Sequence, residues 1–422
     1  MLDLKLIREH TEDVKQGVRR KGMDPSLVDE ALRLDEERRK EIQHAEALKS
    51  KKNTVSAQVA KMKSKGEEAS AVIAEMRGVA DEIKAADELL GKVDGQLLSV
   101  MLTIPNIPHP SVPDGVTPAD NKVIAEWGET PVIDFTPKPH WELVEKLKII
   151  DFARGTKITG AGFPVYVGKG AQLERALINF FLDQNIERGY TELMPPLMVN
   201  EDSARGTGQL PDKEDQMYVV GRDNFYMIPT AEVPTTNFYR DEILQERQLP
   251  LKFCSYTPCF RREAGSYGKD VRGLNRVHQF NKVELVKLVH PDRSYDELEA
   301  LRQDAEHLLQ KLGYKYHTLL MCSGDLGFTQ AKKYDLEVWS VGQKKWLEVS
   351  SISNFESFQA RRMNIRYKPD TGGKPEFVHT LNGSALALPR IMAALLEQNQ
   401  TPEGKVIVPK VLHEYTGFEV IG

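Results

Sequence analysis

Between Ser26 and Val100 the chain contains no proline and is dense in Ala, Glu, Lys and Leu. In the second half of that stretch Val72, Met76, Val79, Ile83, Ala86, Leu90, Val93, Leu97 and Val100 recur at alternating steps of four and three. That is the 3.5-residue period of a seam between helices. The first half carries Leu27, Ala31, Leu34, Ala45, Leu48, Val55, Val59 and Met62 on one seam, interrupted by Arg38, Glu41 and Lys52. Between the halves, Ser64-Lys65-Gly66-Glu67-Glu68 supplies a helix stop and then acids suited to a first turn. Two helices of about 35 residues joined by a short turn predict an antiparallel hairpin reaching roughly 50 Å at ~1.5 Å per residue. An element of that shape cannot bury itself in a globule, so it projects.

The arm is electrically lopsided. Lys49, Lys51, Lys52, Lys61, Lys63 and Lys65 gather toward its tip, while the second helix carries Glu75, Asp81, Glu82, Asp87, Glu88 and Asp94. A basic ridge of this kind suits a phosphate backbone and predicts strongly salt-dependent binding.

After the arm, prolines at 105, 108, 110, 113 and 118 stiffen residues 103–121 and bar regular structure, which reads as a linker. The organisation expected is therefore 1–102 as an N-terminal domain with its coiled-coil arm at 26–100, the linker 103–121, and a second domain over 122–422. In the latter, an amphipathic helix spans 170–188, a strand 190–194, strand pairs 218–288, and a helix 294–312. Residues 335–341 and 345–350 flank Gly342-Gln343 as a hairpin. Strands adjacent in sequence with irregular helices between them predict an α+β fold on an antiparallel sheet with flanking helices.

Composition excludes several classes. A net charge of −5 and a pI near 6.1 argue against a generally basic coat, so any nucleic acid must be met by local patches. The three cysteines, Cys254, Cys259 and Cys322, have no zinc-ligand spacing, so no zinc is expected, and their sparse, odd number fits a reducing compartment. No apolar run approaches the ~18 residues of a membrane span, and the N-terminus lacks a signal-peptide pattern. A cytoplasmic protein with no membrane partner is expected.

The stretch that carries chemistry is FRREAGSYGKDVRGLNRVHQFNKVE, from Phe260 to Glu284. Arginine's planar fork matches phosphate and carboxylate, and its clustering beside an aromatic points to a bound nucleotide. This stretch resembles motif 2 of the class II aminoacyl-tRNA synthetases, and within that class the seryl enzymes. Glu187-Arg188-Gly189-Tyr190, closing at Pro195-Pro196, resembles motif 1, which forms the dimer interface in that family. Leu381-Asn382-Gly383-Ser384-Ala385-Leu386-Ala387-Leu388-Pro389-Arg390 resembles motif 3. There a strand is expected to end at the glycine, with Ser384 capping an apolar helix.

The resemblance covers essentially the whole chain, arm included, and implies an ATP-dependent ligase that activates serine and loads it on tRNA(Ser). Seryl enzymes of this kind can also serve tRNA(Sec). It implies a homodimer, with ATP as co-substrate and Mg²⁺ as the metal. Arg261 and Arg390 become the catalytic residues. Serine falls to Thr230, Glu232, Arg261, Glu284, Asn382 and Ser384. ATP falls to Arg261, Glu263, Arg276, Val277, Phe280, Glu348, Ser351 and Arg390, with Glu348 and Ser351 holding the metal. For tRNA it implies Lys49, Lys51, Lys52, Lys61 and Lys63 on the arm, with Lys269 and Arg272 in the motif 2 loop.

Two rival readings share the fold: a relative that loads a carrier protein, and a non-catalytic coiled-coil scaffold. Carrier-loading relatives lack an arm, and a dead scaffold would have lost arginines that are present here at 261 and 390. Lys61-Met62-Lys63-Ser64-Lys65 resembles the KMSKS loop of class I synthetases, but its usual companion sequence is absent and Met62 belongs to the arm seam.

Overall fold

The computed structural model describes residues 1–264 and 272–422. It divides into two compact units, one of residues 1–19 and 23–105, the other of residues 20–22 and 106–422.

The first unit opens with α1 (Leu4–Glu9) and α2 (Thr11–Arg20), followed by the long pair α3 (Ser26–Ser64) and α4 (Ser70–Thr103). The seam is as its period predicts: Ala45, Leu48, Val55 and Val59 on α3 and Val79, Ala86, Val93 and Leu97 on α4 are buried. Ala45, Leu48 and Ala86 form one apolar cluster, with Ile83 against it. One polar interruption is accommodated by pairing across the arm, since Arg38 Nε meets Asp94 Oδ1 at 2.6 Å. The turn reverses at Gly66, whose φ of 72° is open to glycine without strain. Glu67 and Glu68 precede α4 rather than entering its first turn, because the helix starts only at Ser70.

In the second unit the main sheet has eight strands among the described residues. These are β1 (Lys122–Trp127), β2 (Thr191–Glu192), β3 (Leu251–Phe260), β4 (Gln279–Val289), β5 (Tyr316–Leu320), β6 (Lys332–Ser340), β7 (Lys345–Asn354) and β8 (His379–Ala387). Their order is β1-β5-β6-β7-β8-β4-β3-β2. Every neighbouring pair is antiparallel except β2 with β3, which run parallel. Helices α5 (His140–Leu147), α6 (Lys169–Glu187), α7 (Ser294–Leu312) and α8 (Leu388–Gln398) flank it. Leu173, Leu177 and Phe181 of α6 share one core with Leu301 and Leu308 of α7, Val283 and Leu285 of β4, and Ile391 and Leu395 of α8. The bounds of α7 follow from local chemistry: Asp296 and Glu297 sit in its first turn and Gly313 ends it at φ 77°.

Three expectations change. The strand expected over 190–194 shrinks to Thr191–Glu192, which stand opposite Phe253 and Cys254 in the ladder; beyond them a single bond from Leu193 N to Cys254 O, at 2.8 Å, closes the pairing. The span expected as strand pairs over 218–288 is interrupted by a short helix, Glu232–Thr236. Residues 106–121 contain one 3₁₀ turn at Pro118–Asp120 and are tied into the second unit throughout. Asn106 Nδ2 donates to the carbonyls of Thr329 and Phe355 at 3.0 and 2.9 Å, and Ser323 N donates to Pro113 O at 2.9 Å. Proline here removes regular structure without removing order.

The arm depends on a narrow seam, so Leu48→Ala should destabilise it by about 2 kcal/mol or more. A lowered helical melting transition in circular dichroism, with the second unit's transition unchanged, is the expected result.

Candidate active site

A cavity of about 560 Å³ is walled by the sheet, the residues following β3 and the start of α8. Strand alternation explains its floor: Phe280, Lys282 and Glu284 of β4 border the cavity, while Val283 and Leu285 point into the core. Glu284 stands opposite Ser384 in the ladder with β8. Its carboxylate accepts from Asn382 Nδ2 at 2.9 Å and from Ser384 Oγ at 3.3 Å, and lies 2.6 Å from Lys282 Nζ. Lys282 Nζ also donates to Thr230 Oγ1 at 2.8 Å, and that hydroxyl accepts from Glu232 N at 3.2 Å.

The two buried glutamates differ electrically. Glu284 has a lysine and two neutral donors. Glu232 accepts from Gln359 Nε2 at 2.6 Å, and that amide's own oxygen accepts from Thr380 Oγ1 at 2.7 Å. Burial, reinforced by the charge of Glu284, pushes the Glu232 carboxyl up to about 7, against the opposing hydrogen bond from Gln359.

The cavity's other half is arginine-rich. Arg261 follows β3 directly. Its backbone N–H donates to His278 O at 2.9 Å and its Nε to Pro229 O at 3.2 Å, and its guanidinium lies 5.2 Å from the centre of the Phe280 ring. Glu263 accepts from Arg276 at 3.0 Å. Arg390 enters in the first turn of α8, where the dipole disfavours a cation. It is held by Glu348, donating to its carbonyl at 2.7 Å and lying 3.5 Å from its carboxylate. Burial raises the Glu348 carboxyl, but the nearby charges of Arg390, Lys333 and Arg261 outweigh it and hold the group below the ordinary carboxylate value. Its side chain, 43% exposed, remains an ionised oxygen donor at the cavity wall. Beneath it, Lys333 Nζ lies 3.1 Å from Asp335, which faces Ser351 across the ladder.

Every serine- and ATP-site residue expected from the sequence borders this cavity. Ser384 does so in a different role from the one expected. The strand does not end at Gly383: β8 continues through Ser384 to Ala387, so the hydroxyl meets Glu284 instead of capping a helix. Gly383 is there for closeness, since a Cβ would come within 3.2 Å of Ile352 and 3.4 Å of Leu301. Pro389 sits in the first turn of α8, where no backbone donor is required.

The tRNA residues divide. Lys269 lies outside the described residues, and Arg272 packs 4.9 Å from the Trp141 ring. Lys49, Lys51, Lys52, Lys61 and Lys63 lie on α3 of the other unit. Lys49 and Lys51 meet acids of α4, Asp87 at 3.0 Å and Glu75 at 3.3 Å, whereas Lys52, Lys61 and Lys63 are exposed. Lys282 and Lys333 escaped the sequence reading, as did the pairing of Gln359 with Glu232. Lys282 was within reach, being in phase with Phe280 and Glu284; the other two come from distant segments with no shared pattern.

Residues 218–399 match the family profile described as the tRNA synthetase class II core domain (G, H, P, S and T), and residues 1–108 that of the seryl-tRNA synthetase N-terminal domain. The serine–tRNA ligase of Salinibacter ruber is 55% identical over 425 residues, covering 100% of this chain and 99% of its own. That of Geobacter sulfurreducens is 52% identical over 418 residues, covering 99% of each. Among solved structures, Pyrococcus horikoshii seryl-tRNA synthetase complexed with ATP superposes with a TM-score of 0.94 at 39% identity, over 100% of this chain and 99% of that one. The cytoplasmic serine–tRNA ligase of Naegleria fowleri in complex with AMP gives 0.89 at 28%, over 100% and 98%.

The raised Glu232 value has a sign that can be tested. Folding takes up a proton between the ordinary 4.5 and about 7, so the associated stability is present at low pH and lost as pH rises through about 7. Glu232→Gln mimics the protonated form. It should leave stability nearly unchanged at pH 5 and raise it at pH 8 by an amount on the order of 2–3 kcal/mol, read by denaturant unfolding at the two pH values.

Proposed function

The chain belongs to the seryl-tRNA synthetase family of class II, and we propose that it condenses serine with ATP and passes the serine to the 3′ end of tRNA(Ser). The observation that carries this reading is the placement of a carboxylate-rich amino-acid pocket and an arginine-rich phosphate pocket in one cavity, with Arg261 bordering both.

The serine carboxylate is already a nucleophile, so no general base is needed. Its oxygen bonds to the α-phosphorus as the bond to the bridging oxygen breaks and pyrophosphate departs. Two anions must approach in line, and Arg261, fixed by its two carbonyl contacts, neutralises both and the charge that builds between them. Phe280 offers its ring to the adenine, with Glu263 and Val277 beside it. Arg276 and Arg390 take the outer phosphates. Glu348 and Ser351 would hold Mg²⁺, which takes few protein oxygens and completes its shell with phosphate and water. When bound it supplies further neutralisation of the triphosphate.

The charge difference between the glutamates divides their duties. Glu232 lacks a direct cation, so it takes the serine ammonium, with Thr230 bordering the same pocket. Glu284, already neutralised by Lys282, accepts from the hydroxyl, with Asn382 and Ser384 fixing its oxygens. A site that pairs a substrate hydroxyl rejects alanine by ~10⁴–10⁵ through its own unpaired groups.

For tRNA, Lys52, Lys61 and Lys63 offer free charge, while Lys49 and Lys51 would exchange carboxylates for phosphates; Lys269 and Arg272 meet the acceptor end. The same surface would serve tRNA(Sec). A homodimer through the motif 1 region is supported by exposed apolar side chains there, Ile186 at 42%, Leu197 at 38% and Met194 at 88%. A cytoplasmic setting is supported by three free cysteines. Among the described residues no helix is long and apolar enough to cross a membrane.

Serine-dependent ATP–pyrophosphate exchange is the primary test; purified protein with serine and Mg²⁺ that shows none overturns the reading. Arg261→Ala should lower exchange by ~10²–10³ or more. Deleting residues 26–100 should leave exchange intact and abolish tRNA charging, and persistence of charging would refute the arm's role. Met194→Glu should shift the protein to monomer in analytical ultracentrifugation.

A further inference from the structure

Outside the cavity, a fully buried pair of side chains ties α5 and α8 to the turn after β6 and to the residues just before β4. His140, the first residue of α5, and Glu397, near the end of α8, are both 0% exposed. Glu397 Oε1 accepts from His140 N at 2.9 Å and lies 2.9 Å from His140 Nδ1. Its Oε2 accepts from Gly342 N at 3.1 Å and from the Ser340 hydroxyl. With Nδ1–H directed to the carboxylate, the ring is held as the tautomer whose Nε2 is an acceptor. That nitrogen accepts from Leu274 N at 2.9 Å.

Leu274 belongs to the residues that bring the motif 2 loop back to β4. Leu274 and Val277 are buried, and Asn275 and Arg276 border the cavity. A second branch runs in parallel: Asn275 Nδ2 donates to Gln343 Oε1 at 2.8 Å, and Gln343 Nε2 donates to Glu397 Oε1 at 3.1 Å. The fit is close, since a Cβ on Gly273, at φ 66°, would come within 2.3 Å of His140 Nε2. Glu397 lies on the same helix as Arg390, whose Nε contacts Asn275 O at 3.5 Å.

We propose that His140 and Glu397 are positioning residues that lock the returning limb of the motif 2 loop to the motif 3 helix. They thereby fix Arg276 and Arg390 relative to each other for the outer phosphates of ATP. The inference rests on the proposed serine activation only for its kinetic consequence. The serine side of the cavity is held by other contacts, chiefly those of Lys282 with Thr230 and Glu284 and of Gln359 with Glu232.

The test compares His140→Phe, which keeps a ring without the acceptor, with His140→Gln, whose side-chain oxygen can reach toward Leu274 N. Amide hydrogen exchange over residues 272–279 and pyrophosphate-exchange kinetics are measured on the full chain. In His140→Phe the Leu274 amide should exchange roughly tenfold faster or more, and the KM for ATP should rise roughly tenfold. The KM for serine should change by less than about twofold, and His140→Gln should recover most of both losses. Unchanged amide exchange overturns the lock, and so do KM values for serine and ATP that rise together. If His140→Phe does not fold, Gln343→Ala cuts the parallel branch and must still raise the ATP KM selectively; an unchanged value overturns the proposal. A wild-type protein without serine-dependent exchange overturns the functional reading, while the amide measurement still judges the lock.

Discussion

The site depends on one strand that is hydrogen-bonded on both sides. β4 lies between β3 and β8, so its ladders fix it laterally and leave only the choice of face for each side chain. Period-two alternation makes that choice all-or-none. In the observed register Phe280, Lys282 and Glu284 reach the cavity while Val283 and Leu285 complete the core. A slip by one residue would drive a lysine and a glutamate into the apolar layer against α6 and α7, at a prohibitive desolvation cost. The hydrophobic core therefore selects the geometry of the polar site, and the site needs no separate device to find its register.

What the sequence made legible follows the range of the forces involved. The arm seam and α7 were readable because their determinants are local: an apolar period for the first, first-turn acids and a glycine stop for the second. The fate of Gly383-Ser384 was not, since a strand that continues past a glycine is explained only by Leu301 and Ile352 pressing on it from elsewhere. Lys333 and the pairing of Gln359 with Glu232 were hidden for the same reason. On the arm, the lysines were visible and their partners were not. Lys49 meets Asp87, and Lys51 meets Glu75, only once the antiparallel register is set.

Cation pairing differs between the two units in a way that tracks exposure. On the arm, the pairs of Lys49 with Asp87 and of Lys51 with Glu75 are solvent-exposed, worth at most about 1 kcal/mol each, and readily traded for phosphate. In the cavity, Lys282 with Glu284 is nearly dry. Removing either partner there would strand a charge, so that pair is a fixed part of the wall.

The carboxyl of Glu232 makes the amino-acid pocket an exchanger of protons. Burial pushes that group up to about 7, so at neutral pH it holds a hydrogen far more readily than an ordinary carboxyl does, which spares the fold a bare buried charge. On the proposed assignment, the incoming ammonium brings the missing cation and the hydrogen departs to solvent. The measured heat of serine binding then includes the ionisation heat of whatever buffer receives that proton, and it varies from buffer to buffer at constant pH.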